Sequence, residues 1–425
     1  MKNTTLGYIE YDGKFLMLLR DVNKNDGSLG KWLGIGGKLE KKENADEGFI
    51  REVMEETGIS LSLNDIKRRG IVDFKSFDFG VERMFLYTAK VDSDYFNPEC
   101  NEGTLKWINK SKILELNMWQ GDFVFLNKIL SDDSFFVTSL VYGGESGDEL
   151  REIVEDKLIL TDVDSLDDEN LSLYTRLNET NLKHIYEPKE GVFIAETPVV
   201  IDRAIENEYK PESFLCEHRL LFDLAKYDYT NAPMYSSSSE ILCEMTGYGL
   251  THGMLSVMRR KPANCLSDIL DNSEINNIVI LENVVNPTNV GAIVRSAVAL
   301  GADAMIITKG TADPLYRRAI RVSMGNIFDL PYVIVEDDMW IEEVKKAGFN
   351  IISMALSDTA INLNDPEIIE IRNKKSAIVF GTESTGISDD LLNKSDYIVK
   401  IPMQKSVDSL NVAAASAVAF YALCN

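Results

Sequence analysis

Histidine and cysteine are scarce in this chain of 425 residues, with three and five copies. Cys100, Cys216, Cys243, Cys265 and Cys424 are scattered without metal-type spacing. That excludes a zinc site and fits a reducing cytoplasm. No run of about 18 apolar residues occurs. The N-terminal MKNTTLGYIEYDGKFL lacks a signal peptide's apolar core, so a soluble, cytoplasmic protein with no membrane partner is expected. No Gly-x-Gly-x-x-Gly follows a strand, which removes support for a Rossmann-type dinucleotide site. Positive charge is short too: 44 Lys and Arg stand against 68 Asp and Glu, a net charge of −24. Such a balance argues against nonspecific nucleic-acid binding through a basic surface, although a local patch can act inside an acidic protein. The length exceeds what one hydrophobic core serves, so two or three domains are expected.

The richest stretch is residues 37–59, GKLEKKENADEGFIREVMEETGI. At about 100° per helical residue, Glu52, Glu55 and Glu56 share one arc, and Ile50, Val53 and Met54 occupy the opposite, core-facing arc. Asn44 with Glu47 reads as a capping box, and Gly58 reads as the stop. Carboxylates this close repel one another unless a hard divalent cation sits among them, and oxygen ligands suit Mg²⁺ or Mn²⁺. The same stretch reads Gly, five residues, Glu, seven residues, Arg-Glu-apolar-any-Glu-Glu-any-Gly-apolar.

That pattern is the Nudix box, and residues 1–157 resemble the MutT/Nudix hydrolases. The resemblance implies an α/β/α sandwich, Mg²⁺ (or Mn²⁺) at Glu43, Glu52, Glu55 and Glu56 with Glu56 catalytic, and water attack on a nucleoside diphosphate linked to another group. The domain looks most like the branch acting on 8-oxo-dGTP, through Gly30-Lys31-Trp32, Gly34–Gly37, residues 103–108 and Met118–Asp122. Leu33 stands where that branch has a base-reading Asn, and Gly121-Asp122 replaces its carboxylate pair. Trp32, Gly37, Trp119 and Asp122 are nucleotide-binding candidates, the two tryptophans standing open between base stacking and core packing.

From about residue 268, apolar strands and helices alternate, which predicts an α/β domain with a mainly parallel sheet. Three segments carry its chemistry. NPTNVGAIVRSAVALG (286–301) follows a strand; Asn289 reads as a helix cap, and the helix is apolar almost all round, so Arg295 is expected to be buried. SAIVFGTESTGIS (376–388) runs a buried strand into a loop where Gly381 and Gly386 flank Glu383, letting a ligand approach the backbone. DYIVKIPMQKSVDSLNVAAASAVAFYAL (396–423) ends a strand at Ile401-Pro402-Met403, and Ser409 reads as the cap of an Ala-rich helix suited to close packing against a helix or another subunit.

Together these segments resemble the SpoU/TrmH class of SPOUT RNA methyltransferases. The resemblance implies a trefoil-knotted α/β fold, an S-adenosylmethionine (SAM) site in the knotted loops and an obligate homodimer. Asn289, Arg295, Glu383, Ser409 and Asn411 match active-site positions, and Gly381, Ile401, Met403 and Leu410 match cofactor-contacting ones. The implied reaction is methyl transfer to a ribose 2′-hydroxyl of ribosomal or transfer RNA. Residues 166–265 resemble, more weakly, the small ribosomal-protein-like substrate-binding domain placed before this methyltransferase. There Glu196-Thr197 replace a usual Glu-Gly, and Arg259, Arg260 and Lys261 form the RNA-binding candidate.

The expected organisation is thus a multidomain α/β chain: a Nudix domain at 1–157, an RNA substrate-binding domain at 158–267 and a SPOUT methyltransferase domain at 268–425. The alternative keeps the methyltransferase and makes the Nudix unit a non-catalytic nucleotide- or RNA-end-binding module.

Overall fold

A computed structural model describes residues 2–22, 28–76, 80–97, 100–143, 149–155, 160–175, 191–246, 253–262, 264–382, 385–404 and 410–424. The chain divides into two compact units: residues 1–164 with 216–239, and residues 165–215 with 240–425. No helix among the described residues is long and apolar enough to cross a membrane.

The first unit is built on a mixed sheet of β1 (Lys2–Tyr11), β2 (Lys14–Leu19), β3 (Trp32–Leu33), β4 (Ile66–Ser76), β5 (Gly80–Lys90), β6 (Thr104–Asn109), β7 (Phe136–Gly143) and β8 (Glu149–Glu155). Their order is β3-β2-β1-β5-β4-β7-β8, with β6 on the other side of β2. Because successive strand residues point to opposite faces, one strand feeds two cores. Tyr8 joins Phe15, Met17, Val72 and Leu86 under the helix Gln120–Ser131, which contributes Phe125, Leu126 and Ile129. Ile9 joins Leu16, Leu18, Ile35 and Tyr87 under the helix Ala45–Thr57, which contributes Phe49 and Val53. A helix therefore covers each face of the sheet. The segment 216–239 adds to this unit by laying Phe222 and Ala225 on Ile71, Phe85 and Val137. It also carries β12 (Met234–Ser237), which pairs in parallel with β9 (Leu160–Asp162).

In the second unit β10 (Val192–Glu196) pairs antiparallel with β13 (Met254–Arg259), which neighbours β11 (Pro211–Glu217). The helix Pro198–Glu206 packs on them through Val200, Ile201 and Ala204. The C-terminal sheet comprises β14 (Asn277–Leu281), β15 (Ala304–Thr308), β16 (Tyr332–Val335), β17 (Asn350–Met354), β18 (Ile361–Asn362), β19 (Ser376–Phe380) and β20 (Tyr397–Lys400). All its pairings are parallel, in the order β16-β15-β14-β19-β17-β20-β18. The near-continuous apolar sequences of β14 and β19 follow from burial on both faces. In such sheets ligands bind beyond the carboxyl ends of strands, where the strand order reverses. That rule directs attention to the ends of β17, β19 and β20.

Candidate functional site

The first candidate site lies on the helix Ala45–Thr57. Its capping box is formed: Asn44 accepts from the Glu47 N–H and Glu47 accepts from the Asn44 N–H, and Gly58 closes the helix at φ 71°. A cap of this kind is worth about 1 kcal/mol. The helix is rotated from the expected phase. Met54 is exposed, whereas Glu56 is buried with Phe49 and Val53, because Phe49 stacks on Tyr87 with ring centroids 4.4 Å apart and sets the inward face.

Arg51 gathers the other carboxylates. It donates to Glu43 at 2.8 and 3.0 Å, to Glu52 at 2.9 Å, to Glu55 at 3.1 Å and to the Lys38 carbonyl. The Arg51 hydrogen bond holds the Glu43 carboxyl below its ordinary range, and the same carboxylates push the Arg51 guanidinium up. Glu43 also accepts from the Glu40 N–H at 2.8 Å, so it braces the loop before the helix. Glu56 accepts from the Gly36 N–H, yet its Oε2 has no partner among the described residues. Burial first, then Glu102 and Glu52, push the Glu56 carboxyl well above the usual carboxylate range. Burial likewise raises Glu52.

Glu102 is a member of this site that the box does not contain. It ends the turn before β6, held by Arg20, and the pairing of β6 with β2 brings it to Glu56. The sequence signal was Glu102-Gly103 ahead of a strand: Gly103 fits so closely on β2 that a side chain there would strike the Leu19 carbonyl. Gly37 has an equally definite role. A Cβ at that position would lie 2.5 Å from Glu52 Oε1, so any other residue would displace this carboxylate, the movable end of its side chain.

No three acidic, His or Cys side chains converge as around an ion among the described residues; Arg51 supplies the counter-charge instead. The residues nonetheless suit a hard cation. The Glu56 Oε2, buried without a hydrogen-bond partner among the described residues and flanked by the carboxyl groups of Glu52 and Glu102, is an open oxygen ligand of the kind a hard cation takes.

The nucleotide candidates divide between the faces. Trp32 packs on the core that contains Tyr8 and Met118, Trp119 is half-buried under Lys31 at 5.2 Å, and Gly37 belongs to the carboxylate side. Asp122 is buried near Tyr8 and Tyr142, and burial pushes its carboxyl up to about 7.

The second candidate site is a cavity of about 560 Å³ at the ends of β17, β19 and β20. That volume is typical for small-ligand sites. Phe380, Ile387, Val399 and Met354 give it apolar walls, and Gly381, Ile401, Met403 and Leu410 all line it. A Cβ on Gly381 would collide with the Gly386 backbone, so the loop closes only around glycine. Asn411 lines the cavity, caps the helix Val412–Leu423 through the Ala413 N–H and donates to Asn289 Oδ1 at 3.3 Å. The helix cap is therefore Asn411, and Ser409, like Glu383, lies outside the described residues.

Two expectations for the neighbouring helix, Pro287–Ala299, are corrected. Its cap is Asn286, which accepts from the Thr288 N–H, because Pro287 has no N–H to bond and is preset for the first helical position. Asn289 is instead a buried first-turn residue. Arg295 is exposed, not buried: the core-facing stripe is Val290, Ile293, Val294 and Ala297, and the small residues opposite are tolerated in solvent. It lines a separate polar groove with Val199, Asp202, Arg203, Glu206, Met324 and Asn326. No hydrogen bond or ion pair engages Arg295 among the described residues. It stands six residues past Asn289, about 9 Å along the axis and roughly 120° around it.

The basic trio is mostly committed to structure. Arg260 is half-buried and bonds Asp313 at 2.8 Å and the Val192 carbonyl at 3.0 Å, Arg259 pairs with Glu212 at 2.6 Å, and Lys261 lies over the Tyr209 ring. Glu196, buried at the end of β10, is paired with Arg317 at 3.0 Å.

Against known proteins, the SpoU rRNA Methylase family model matches residues 276–421 and the NUDIX domain model matches residues 3–129. An uncharacterized tRNA/rRNA methyltransferase of Mycobacterium bovis is 34% identical over 272 residues, covering 63% of this chain and 92% of that protein. The chain belongs to the SpoU rRNA methylase family. It carries a NUDIX domain in addition. The 23S rRNA (guanosine(2553)-2′-O)-methyltransferase RlmP of Bacillus subtilis is 30% identical over 146 residues, 34% of this chain and 57% of that protein. The AdoMet-bound rRNA methyltransferase structure from Sinorhizobium meliloti shares the fold over 62% of this chain and 97% of that one, with a TM-score of 0.54 and 20% identity. SpoU membership fits the three C-terminal segments, and the NUDIX match fits the carboxylate helix.

Proposed function

We propose that this SpoU-family chain is a SAM-dependent RNA ribose 2′-O-methyltransferase, acting on ribosomal or transfer RNA, joined to a Mg²⁺-dependent (or Mn²⁺-dependent) nucleotide pyrophosphohydrolase. The carrying observation is the cavity lined by Gly381, Ile401, Met403, Leu410 and Asn411, with Asn411 tied to Asn289 of the adjacent helix. Relatives named as rRNA 2′-O-methyltransferases support the reading. The knot and the ribosomal-protein-like character of the middle region belong to the same proposal.

SAM bound in the cavity supplies an electrophilic methyl group. The chain has to present a ribose hydroxyl, a poor nucleophile at neutral pH. The amides of Asn289 and Asn411, already joined, orient groups at the polar rim. A guanidinium offers only hydrogen-bond donors, so the work assigned to Arg295 is to stabilise the developing alkoxide rather than to take the proton. Its groove is the proposed path of the RNA strand. Glu383 and Ser409 complete the set. The proposal includes a homodimer through the helix Val412–Leu423, supported by the exposed apolar stripe of Ala414, Val418 and Tyr421, spaced by four and three residues. Glutamate at Val418 and Tyr421 is expected to give monomers in light scattering.

At the Nudix helix a divalent cation would be held by Glu52, Glu56 and Glu102, with Glu55 and Glu43 beside it through Arg51, and would neutralise a diphosphate. With that cation bound to favour its charged form, Glu56 would take a proton from an attacking water. Arg51's grip on three carboxylates favours a second reading, in which the domain binds nucleotides or RNA ends without turnover. Pyrophosphate or phosphate release from a nucleotide panel with Mg²⁺ separates the two. Methyl transfer from labelled SAM to total RNA tests the first activity; it should vanish in Arg295→Ala while hydrolysis continues. Absence of both SAM binding and RNA methylation in the wild type would overturn the methyltransferase assignment.

A further inference from the structure

Phe222 lies 93 residues beyond the end of the NUDIX match at residue 129, yet it belongs to the same compact unit. It sits in a short helical turn, Leu221–Leu224. Its ring meets Phe85 at 5.0 Å and 65°, Tyr87 at 5.3 Å and 77°, and Phe135 at 5.8 Å. Tyr87 is the anchor of the carboxylate helix. It stacks flat on Phe49 of that helix and donates to Asp46 Oδ1 at 2.9 Å, while Arg68 Nε donates to the same oxygen at 3.1 Å. Tyr87 thus packs against both Phe222 and Phe49.

Asp46 lies in the first turn of the helix, and Glu52 and Glu56 follow within three turns. Tyr87 therefore fixes both the tilt of the helix, through Phe49, and its N-terminal position, through Asp46. Edge-to-face aromatic contacts are geometry-specific and stabilise beyond simple burial. Asp223, next in sequence, also acts electrostatically on the Asp46–Arg68 pair. The segment 216–239 lies outside the NUDIX match at residues 3–129, yet it belongs to the first unit, and the chain continues from both its ends into residues of the second.

We infer that Phe222 is a positioning residue for the metal-binding helix, so that the Nudix reaction of this chain depends on a segment outside its Nudix domain. The inference rests on the proposed hydrolase reading. Without the Phe222 ring, Tyr87 gains freedom toward the vacated space, and the Phe49 stack and Asp46 bond loosen together. Glu52 and Glu56 then spread over several orientations. Metal affinity and kcat fall, while KM for a nucleotide held on the Trp32–Asp122 side changes little.

The test uses the full chain with Phe222→Ala and the milder Phe222→Leu, which keeps most of the buried volume. Mn²⁺ affinity read by electron paramagnetic resonance should weaken about tenfold in Phe222→Ala and less in Phe222→Leu. Amide hydrogen exchange of the metal-free protein should speed up in 45–57, with the methyltransferase strands unchanged. The kcat of hydrolysis should fall at least tenfold at near-constant KM. Should Phe222→Ala fail to fold, the same ordering is read from Phe222→Leu against wild type. Unchanged Mn²⁺ affinity and unchanged exchange in 45–57 in a folded variant would overturn the inference. A wild type that binds Mn²⁺ but hydrolyses no nucleotide would overturn the hydrolase reading instead, leaving the exchange and affinity results to decide the role of Phe222.

Discussion

The two sites of this chain are built from opposite materials. The Nudix site is a crowd of charged side chains, in which one guanidinium holds three carboxylates and a fourth is buried with an unpartnered oxygen. The C-terminal cavity is walled by apolar side chains and backbone, and its sharpest requirement is a missing side chain at Gly381. Side-chain chemistry fails abruptly when one functional group changes. A backbone-lined cavity tolerates many side chains but not a change in space. Substitutions at the two sites should therefore separate the activities cleanly.

The largest effect is expected from Glu56→Gln. It keeps the shape of the buried group and the Gly36 bond but removes the charge and the basic oxygen. Mg²⁺-dependent hydrolysis should fall by about 10³-fold, in the range of losing a catalytic proton acceptor, with SAM-dependent methylation unchanged. Full hydrolysis in this variant would show that the comparison is drawn around the wrong carboxylate.

Asp122→Asn comes next and is read as stability against pH. The Asp122 carboxyl is raised to about 7 by burial, against an unfolded value of about 3.9. The folded state therefore holds a proton that the unfolded chain has released, and stability falls as pH rises from about 4 to 7, then levels. Replacing the acid with an amide removes that loss. The variant should be more stable than wild type by roughly 2–4 kcal/mol at pH 8, with the difference closing toward pH 4 in denaturant titrations. A pH-independent difference would mean that Asp122 is ionised and paired in the folded protein.

Gly381→Ala sharpens the other half of the comparison. The added methyl meets the Gly386 backbone, which has no flexible end to move aside. SAM affinity measured by calorimetry should drop at least tenfold, about 1.4 kcal/mol, while Mn²⁺ binding at the Nudix helix is untouched.

How much of this was legible in the sequence follows from the same contrast. The Asn44–Glu47 box, Gly58 and the carboxylate spacing are local, and local signals were sufficient to place the Nudix helix. Its rotation was not, because Phe49 and Glu56 turn inward only when Tyr87 from a distant strand meets Phe49. Glu102 was missed for a similar reason: Glu102-Gly103 marked only a turn before a strand, and the β2–β6 pairing is what brings the carboxylate to Glu56. The parallel C-terminal strands announced themselves as apolar runs, and the loop glycine Gly381 was readable from its position after one of them. Exposure of Arg295 was hidden by the small residues around it, since alanines such as the exposed Ala299 read as core in a helical pattern yet sit readily on a surface. Membership of 216–239 in the first unit had no local signal at all.

The smallest effect is expected at a strained turn in the middle region. Thr197 adopts φ 80° and ψ 145°, a conformation that suits glycine, at the place where a Glu-Gly was expected. Its neighbour Glu196 is locked onto Arg317, and Thr197 must turn the chain at once into the helix Pro198–Glu206, so the strain cannot be relaxed by shifting either side. Threonine offsets part of the cost by capping the Val200 N–H at 3.4 Å, a long bond. Glycine loses only a few tenths of a kcal/mol as a cap and removes strain of about 1–3 kcal/mol. Thr197→Gly should therefore stabilise the second unit by about 1 kcal/mol, raising its melting temperature by roughly 2–4 °C and leaving that of the first unit unchanged. A lower melting temperature would show that the threonine hydroxyl holds the turn more strongly than the backbone resists it.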